Sequence, residues 1–423
     1  MKKVLLFLAA WLPLTLSAQK YAGGDISMLT KYEEQHATYF DIDGKSINNV
    51  LAFLKEQGWN TMRVRLFVDP SKDTDKSVCQ NLEYVKALGK RIKEAGLKFL
   101  LDFHYSDTWA DPGHQTVPAS WMIINTPVYE YIYTYTKESL EAMVAAGATP
   151  DFIQTGNEIS FGMLWDGCKV SANSAWTAYE DSNWDTFSLA LKNAGKACRE
   201  VCPQAKIIIH TEQCANNPTL DVAFYNRIKD YEVDYDIIGV SYYPYCKGAL
   251  SNLDKGLTLL ENNFPDKQIQ LVETGYPSKW ALPNTTYDYT ATYPYSHEGQ
   301  RKFTADLITI LNKHPQVNGL SWWYAEANAK GCTGNLATGW YNASLFDNET
   351  GKALPALYEL KTFVGEDTGI DAITLRDTTL PPSSGKAPSP NAQIWYTLDG
   401  RQLSNRPSAK GIHIINGVKV VVR

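Results

Sequence analysis

The chain has 423 residues, 44% of them apolar and 20% charged, with a formal net charge of −6. That length exceeds one average domain but accommodates a large barrel with a small appendage. The acidic balance argues against nucleic acid or an anionic membrane as partner, because either would call for a basic patch; the 12 Trp and 25 Tyr offer flat faces of the kind that stack on sugars.

The chain begins with Lys2 and Lys3, an apolar stretch from Val4 to Leu16, and the small pair Ser17-Ala18. This is the pattern of a cleaved export signal over residues 1–18, too short to span a bilayer. The mature protein is expected to be exported as a monomer, without membrane insertion. Its location would be secreted, cell-surface or periplasmic. Export permits disulfides, and with seven cysteines at least one is left over. Cys198 and Cys202 fall four apart on an expected helix, and further metal ligands nearby are lacking.

From residue 48 to 365 short apolar runs alternate with longer segments of helical spacing. A first strand near Tyr21–Ser27 is followed by "TMRVRLF" (61–67), "KFLLDFH" (98–104), "DFIQTG" (151–156), "KIIIH" (206–210), "DIIGVSY" (236–242), "QIQLVE" (268–273) and "NGLSWW" (318–323). Between the second and third, Leu82, Val85, Leu88 and Ile92 share a helix face, and Gly96 ends that helix. Eight strand–helix units predict an α/β fold, a (β/α)8 TIM barrel over residues 19–365. The rival is an open doubly wound sheet, but no G-x-G-x-x-G follows any strand. Residues 366–391 are rich in Pro, Ser and Gly and read as a linker. Residues 392–423 alternate, with turn signals at Asp399-Gly400 and Asn416-Gly417, and predict a small β-rich tail.

In such a barrel the C-terminal strand ends supply the site. Strand two carries Arg63 and Arg65. Strand three ends in Asp102 and His104, with Asp107, Trp109 and Asp111 just beyond. Strand four ends in Asn157 and Glu158, strand five in His210, and strand six runs into Tyr243. Strand seven ends in Glu273 and strand eight in Trp323. Two glutamates at strand ends three strands apart are what retaining glycoside hydrolysis needs, one as acid and one as nucleophile, with carboxyls about 5–5.5 Å apart. Arg63, Arg65 and Tyr243 could keep the nucleophile ionised. Each residue also has a plainer reading. A strand-end Glu can be a solvated loop residue, Arg63 and Arg65 interior ion pairs, His104 and His210 satisfied core groups, and Trp109 and Trp165 packing. His104 and His210 with an acid could instead hold a metal, but the first strand lacks the H-x-H such sites use. No G-x-S-x-G supports serine chemistry.

The stretches "GWNTMRVRLFVDP", "DFHYSDTWADPGHQTVPASW", "GNEISFGMLW", "GVSYYPY" and "VETGYP" together resemble glycoside hydrolase family 53, the endo-β-1,4-galactanases of clan A. The resemblance runs from about residue 22 to 364. It implies a retaining enzyme that cuts β-1,4-galactan, as in pectin side chains and type I arabinogalactan, with no catalytic cofactor. Glu158 then matches the acid/base and Glu273 the nucleophile. Arg63, Asp102, His104, Asn157 and Tyr243 match supporting positions, which Arg65 and His210 join from their places at strand ends. Trp109, Asp111, Trp165 and Trp323 match sugar-facing positions, which Asp107 joins in the same way. Bacterial relatives carry a calcium loop after strand seven; here Asp288, Asp347 and Asn348 are the candidate oxygen donors. The tail resembles sorting-type segments of exported bacterial proteins, a small accessory unit being the alternative. Another clan A glycanase, a mannanase or glucanase, and a non-catalytic polysaccharide-binding barrel are the competing functional readings.

Overall fold

The computed structural model describes residues 19–365, apart from 123–125, 166, 335 and 337–339, together with four short strands near the C-terminus. The expected export signal, residues 1–18, and the expected linker, residues 366–391, lie outside the described residues. Eight parallel strands close into a barrel: β1 (Tyr21–Asp25), β2 (Thr61–Leu66), β3 (Lys98–Phe103), β4 (Phe152–Thr155), β5 (Lys206–Thr211), β6 (Ile237–Tyr242), β7 (Gln268–Thr274) and β8 (Val317–Trp322). β1 pairs with both β2 and β8, which closes the ring. The expected α/β barrel is therefore the observed one, each strand end within two residues of its expected place.

The main outer helices are α1 (Val50–Glu56), α2 (Leu82–Glu94), α3 (Val128–Ala145), α4 (Trp184–Val201), α5 (Pro218–Asp230), α6 (Leu250–Asn263) and α7 (His297–Leu311). α2 shows why the sequence folds this way. Asn81 caps it by accepting from the Tyr84 N–H, and Arg91 and Lys93 sit in its last turn, where they oppose the helix dipole. Gly96 then adopts φ +70°, a region glycine enters freely. Val85, Leu88 and Ile92 are buried against the barrel wall. Leu88→Ala should cost about 2–5 kcal/mol through the cavity it leaves.

The barrel interior is layered. Near its N-terminal end Leu100, Phe152, Ile208, Ile237 and Val272 form a separate apolar cluster. Side chains on a strand alternate faces, so the next inward position lies two residues on. There the column turns polar: Leu100 gives way to Asp102, Phe152 to Gln154 and Ile208 to His210, all buried. The apolar plug thus carries a polar floor above it, and the mouth lies beyond that floor.

A short antiparallel hairpin, Tyr39–Phe40 with Ser46–Ile47, was not expected from the sequence. All seven cysteines are free thiols, and Cys202 caps α4 rather than binding a metal with Cys198. Among the described residues no helix is long and apolar enough to cross a membrane. The tail, a separate unit, is an antiparallel sheet in which Trp395–Tyr396 lies between Gln402–Leu403 and Gly411–Ile415, with Val418–Val422 at the edge.

Candidate active site

The C-terminal strand ends open onto a cavity of about 910 Å³. Glu158 and Glu273 both line it, with Asn157, Tyr243, Trp109, Asp111 and Trp323. The turn after β4 makes this possible. Gly156 adopts φ +100°, and a Cβ there would meet Ile159 Cγ2 at 2.8 Å. Glu158 itself is left-handed at φ +49°. A non-glycine residue in that region costs about 1–3 kcal/mol and persists only where its surroundings over-determine it.

Arg63 organises the floor. Its Nη1 meets Asp25 Oδ2 at 3.0 Å; its Nη2 meets Asp102 Oδ2 at 2.7 Å, Glu273 Oε1 at 2.8 Å and Asn157 Oδ1 at 3.0 Å. Arg65 pairs with the other oxygen of Asp25 at 2.9 Å, and its guanidinium lies over Trp109 and Trp323, 4.6 and 5.2 Å from the ring centres. Both guanidinia are fully buried. A buried cation persists where it is paired and hydrogen-bonded, as both are here. His104 accepts from the Ala110 N–H at Nδ1, which leaves its Nε2 facing Asp102 at 3.1 Å. His210 bonds Ser241 Oγ at 2.7 Å through Nε2. Burial and nearby Arg63 push its pKa well below the usual range, so the ring is neutral.

The two glutamates sit in different surroundings. Glu273 receives Arg63 on one oxygen and the Tyr243 hydroxyl on the other at 3.0 Å. Burial pushes it up to about 7, against the pull of Arg63 and Tyr243 toward the anion. Burial, Glu273 and Glu212 together raise Glu158 well above the carboxylate range, and no guanidinium opposes them. The cation and the hydroxyl that favour an anion are thus on the Glu273 side of the pair. A carboxyl that keeps its proton beside one that gives it up is an arrangement suited to dividing acid and nucleophile work.

Some expected sugar-facing residues do other things. Asp107 accepts from the Asp69 N–H at 3.0 Å and the Ala119 N–H at 2.8 Å, which fastens two loops rather than facing the cavity. Trp165 is outside the cavity wall; Lys169 Nζ lies 4.0 Å over its ring. Trp109 and Trp323 do line it, 5.9 Å apart, with Trp109 Nε1 bonded to Asp75 at 2.9 Å. The calcium donors do not fit a cation. Asp347 pairs with Lys279 at 2.8 Å and His297 at 3.3 Å, and its second oxygen accepts from Glu349 and Thr350. Burial notwithstanding, Lys279 and Thr350 hold that carboxyl well below its usual range. Asp288 caps the Thr290 N–H, and among the described residues no group of three acidic, His or Cys side chains could hold a metal.

Sequence reasoning passed over Asp25, Gln154, Glu212, Lys247 and Trp340. Glu212 was within reach by strand alternation, two residues beyond His210. Lys247 ends a one-turn helix, Pro244–Lys247, and Trp340 lies on a loop, neither marked by a strand or long-helix pattern.

The family model for glycosyl hydrolase family 53 matches residues 21–360. The chain belongs to glycosyl hydrolase family 53. It is 34% identical to an uncharacterised protein of Niallia circulans over 82% of this chain and 95% of that one. It is 31% identical to the arabinogalactan endo-β-1,4-galactanase of Thermothelomyces thermophilus, over 72% of this chain and 89% of that one. The family 53 catalytic domain of Ignisphaera aggregans superposes with a TM-score of 0.71 at 29% identity, over 86% of this chain and 99% of that one. As a family 53 member the protein is a glycoside hydrolase.

Proposed function

We propose that the protein is an exported, retaining endo-β-1,4-galactanase, with Glu273 as nucleophile and Glu158 as acid/base. The observation that carries the mechanism is the asymmetry of the pair: Arg63 and Tyr243 bind both oxygens of Glu273, while Glu158 lacks a guanidinium. In the first step Glu158 gives its proton to the glycosidic oxygen and Glu273 attacks the anomeric carbon, so the bond to the leaving sugar breaks. In the second step Glu158, now a carboxylate, takes a proton from water, which displaces Glu273. Arg63 and Tyr243 hold the attacking carboxylate and would receive it again as leaving group. Asn157 keeps one amide hydrogen bonded to the Ala110 carbonyl at 2.8 Å, which aims the other toward the sugar hydroxyl beside the reacting carbon. Asp102 and His104 fix Arg63 from beneath, Gln154 Nε2 holds the Asn157 carbonyl oxygen at 3.1 Å, and His210 accepts from the Glu158 N–H. Trp109 and Trp323 offer faces for the glycone.

The galactan substrate is supported by relatives named as arabinogalactan endo-β-1,4-galactanases. Export is supported by the charged and apolar pattern of residues 1–18. The test is a product analysis on linear β-1,4-galactan, arabinogalactan, mannan and β-glucan, with the anomer of the first product read by proton NMR. Short β-anomeric galacto-oligosaccharides from galactan alone are expected. Cleavage of mannan or glucan would overturn the substrate, and an α-anomeric first product the mechanism.

A further inference from the structure

The turn that carries Glu158 is stitched to the end of β5 by three bonds. The Glu158 N–H reaches His210 Nδ1 at 3.3 Å, the Ile159 N–H the His210 carbonyl at 2.9 Å, and Ser160 Oγ the Oε2 of Glu212 at 2.8 Å. Glu212 is fully buried, lines the same cavity as Glu158 and Glu273, and takes Gln213 Nε2 on its other oxygen at 2.5 Å. The remaining groups around Glu158 are mostly uncharged. Burial keeps Tyr243, Tyr245 and Cys246 protonated and His210 neutral. The charges facing Glu158 are thus Glu273, Glu212 and, from the loop after β6, the half-buried Lys247.

We propose that Glu212 is a positioning residue for Glu158: through Ser160 it fixes the strained turn, and from the same cavity wall its carboxylate adds a second negative charge beside the acid. Burial raises the Glu212 carboxyl above its usual range, and Lys247, Ser160 and Gln213 pull it back toward the anion. This inference rests on the reading of Glu158 as the acid. Charge and bond can be separated, since glutamine still accepts from Ser160 but carries no charge.

The experiment is the pH profile of kcat/KM on linear β-1,4-galactan for the wild type, Glu212→Gln, Ser160→Ala and Lys247→Met. The basic limb reports the loss of the Glu158 proton. Glu212→Gln should move it to lower pH by about one to two units, and Lys247→Met should move it the other way. Ser160→Ala should lower kcat about tenfold with the limb in place, because the turn is misplaced while the charge remains. An unmoved limb in Glu212→Gln, whether with a lowered Tm or a raised KM, would make the residue merely structural or merely a sugar contact and overturn the proposal. If Glu212→Gln does not fold, an unchanged kcat in Ser160→Ala would overturn the positioning role. Full activity of Glu158→Gln would sink the acid assignment instead, whatever Glu212 does.

Discussion

The two ends of the barrel use the same kinds of charged side chain to opposite effect. At the N-terminal end Lys93 and Lys98 pair with Asp151, and Lys206 and Arg199 with Asp236, at the starts of β3 to β6. These pairs are partly wet, and their carboxylates also cap strand N–H groups of Phe99 and Ile207. At the C-terminal end Asp25, Asp102 and Glu273 crowd around Arg63 and Arg65 with every group nearly or fully buried. Solvated pairs are worth about 0–1 kcal/mol each. Buried ones do not repay their desolvation by attraction alone, and breaking one costs about 3–5 kcal/mol. The lower end uses charge to terminate strands cheaply. The upper end holds carboxylates at a cost that only chemistry explains.

Substitutions can break this contrast. The largest effect is expected at Glu273: Glu273→Ala should lower kcat/KM roughly 10⁴-fold or more, and azide should yield a glycosyl azide of inverted configuration. Glu158→Ala should lose about 10²–10⁴-fold on galactan and far less on an aryl galactoside with a good leaving group. Equal losses on both substrates would remove Glu158 as acid. Arg63→Met should destabilise by about 3–5 kcal/mol as well as abolish activity, because it strands buried carboxylates. Lys98→Met, at the wet end, should change stability by less than about 1 kcal/mol and leave kcat alone; thermal melts of the two variants measure the contrast directly.

How much of this was legible in the sequence follows the same division. The barrel was, because β-branched runs such as "KIIIH" and "QIQLVE" can only be buried strands, and their ends came out within two residues. Glu158 and Glu273 were visible as acids ending such runs. Asp25 was not, because it closes a glycine-rich first strand with no apolar run to mark its direction. Glu212 shares a face with His210 by alternation but stands two residues past the expected strand end. Whether a loop aromatic lines the cavity was illegible: Trp165 stands outside its wall with Lys169 over one face, a contact only the folded loop creates. Calcium was suggested by the family resemblance, and sequence does not show that Lys279 pairs with Asp347, the candidate donor after strand eight.

Smaller effects sharpen the picture. Glu273, pushed up to about 7, Asp221, up to about 7, and Glu326, up to about 8, bind protons more tightly folded than unfolded. Their contribution to stability is full below the ordinary carboxylate range and falls as pH rises through those values. Tm should therefore drop between pH 5 and pH 8, and Asp221→Asn should flatten that drop; an unchanged slope would place the buried charge elsewhere. The smallest expected change is with a chelator, which should leave Tm unmoved, whereas Lys279→Ala should lower it.

In the proposed mechanism Glu273 forms the bond to sugar and Glu158 supplies the proton. An activated 2-deoxy-2-fluoro-β-galactobioside, followed by peptide mapping by mass spectrometry, tests it most directly. A single adduct on Glu273 is expected, formed faster in the wild type than in Arg63→Met. An adduct on Glu158, or turnover with no adduct and an inverted product, would contradict it.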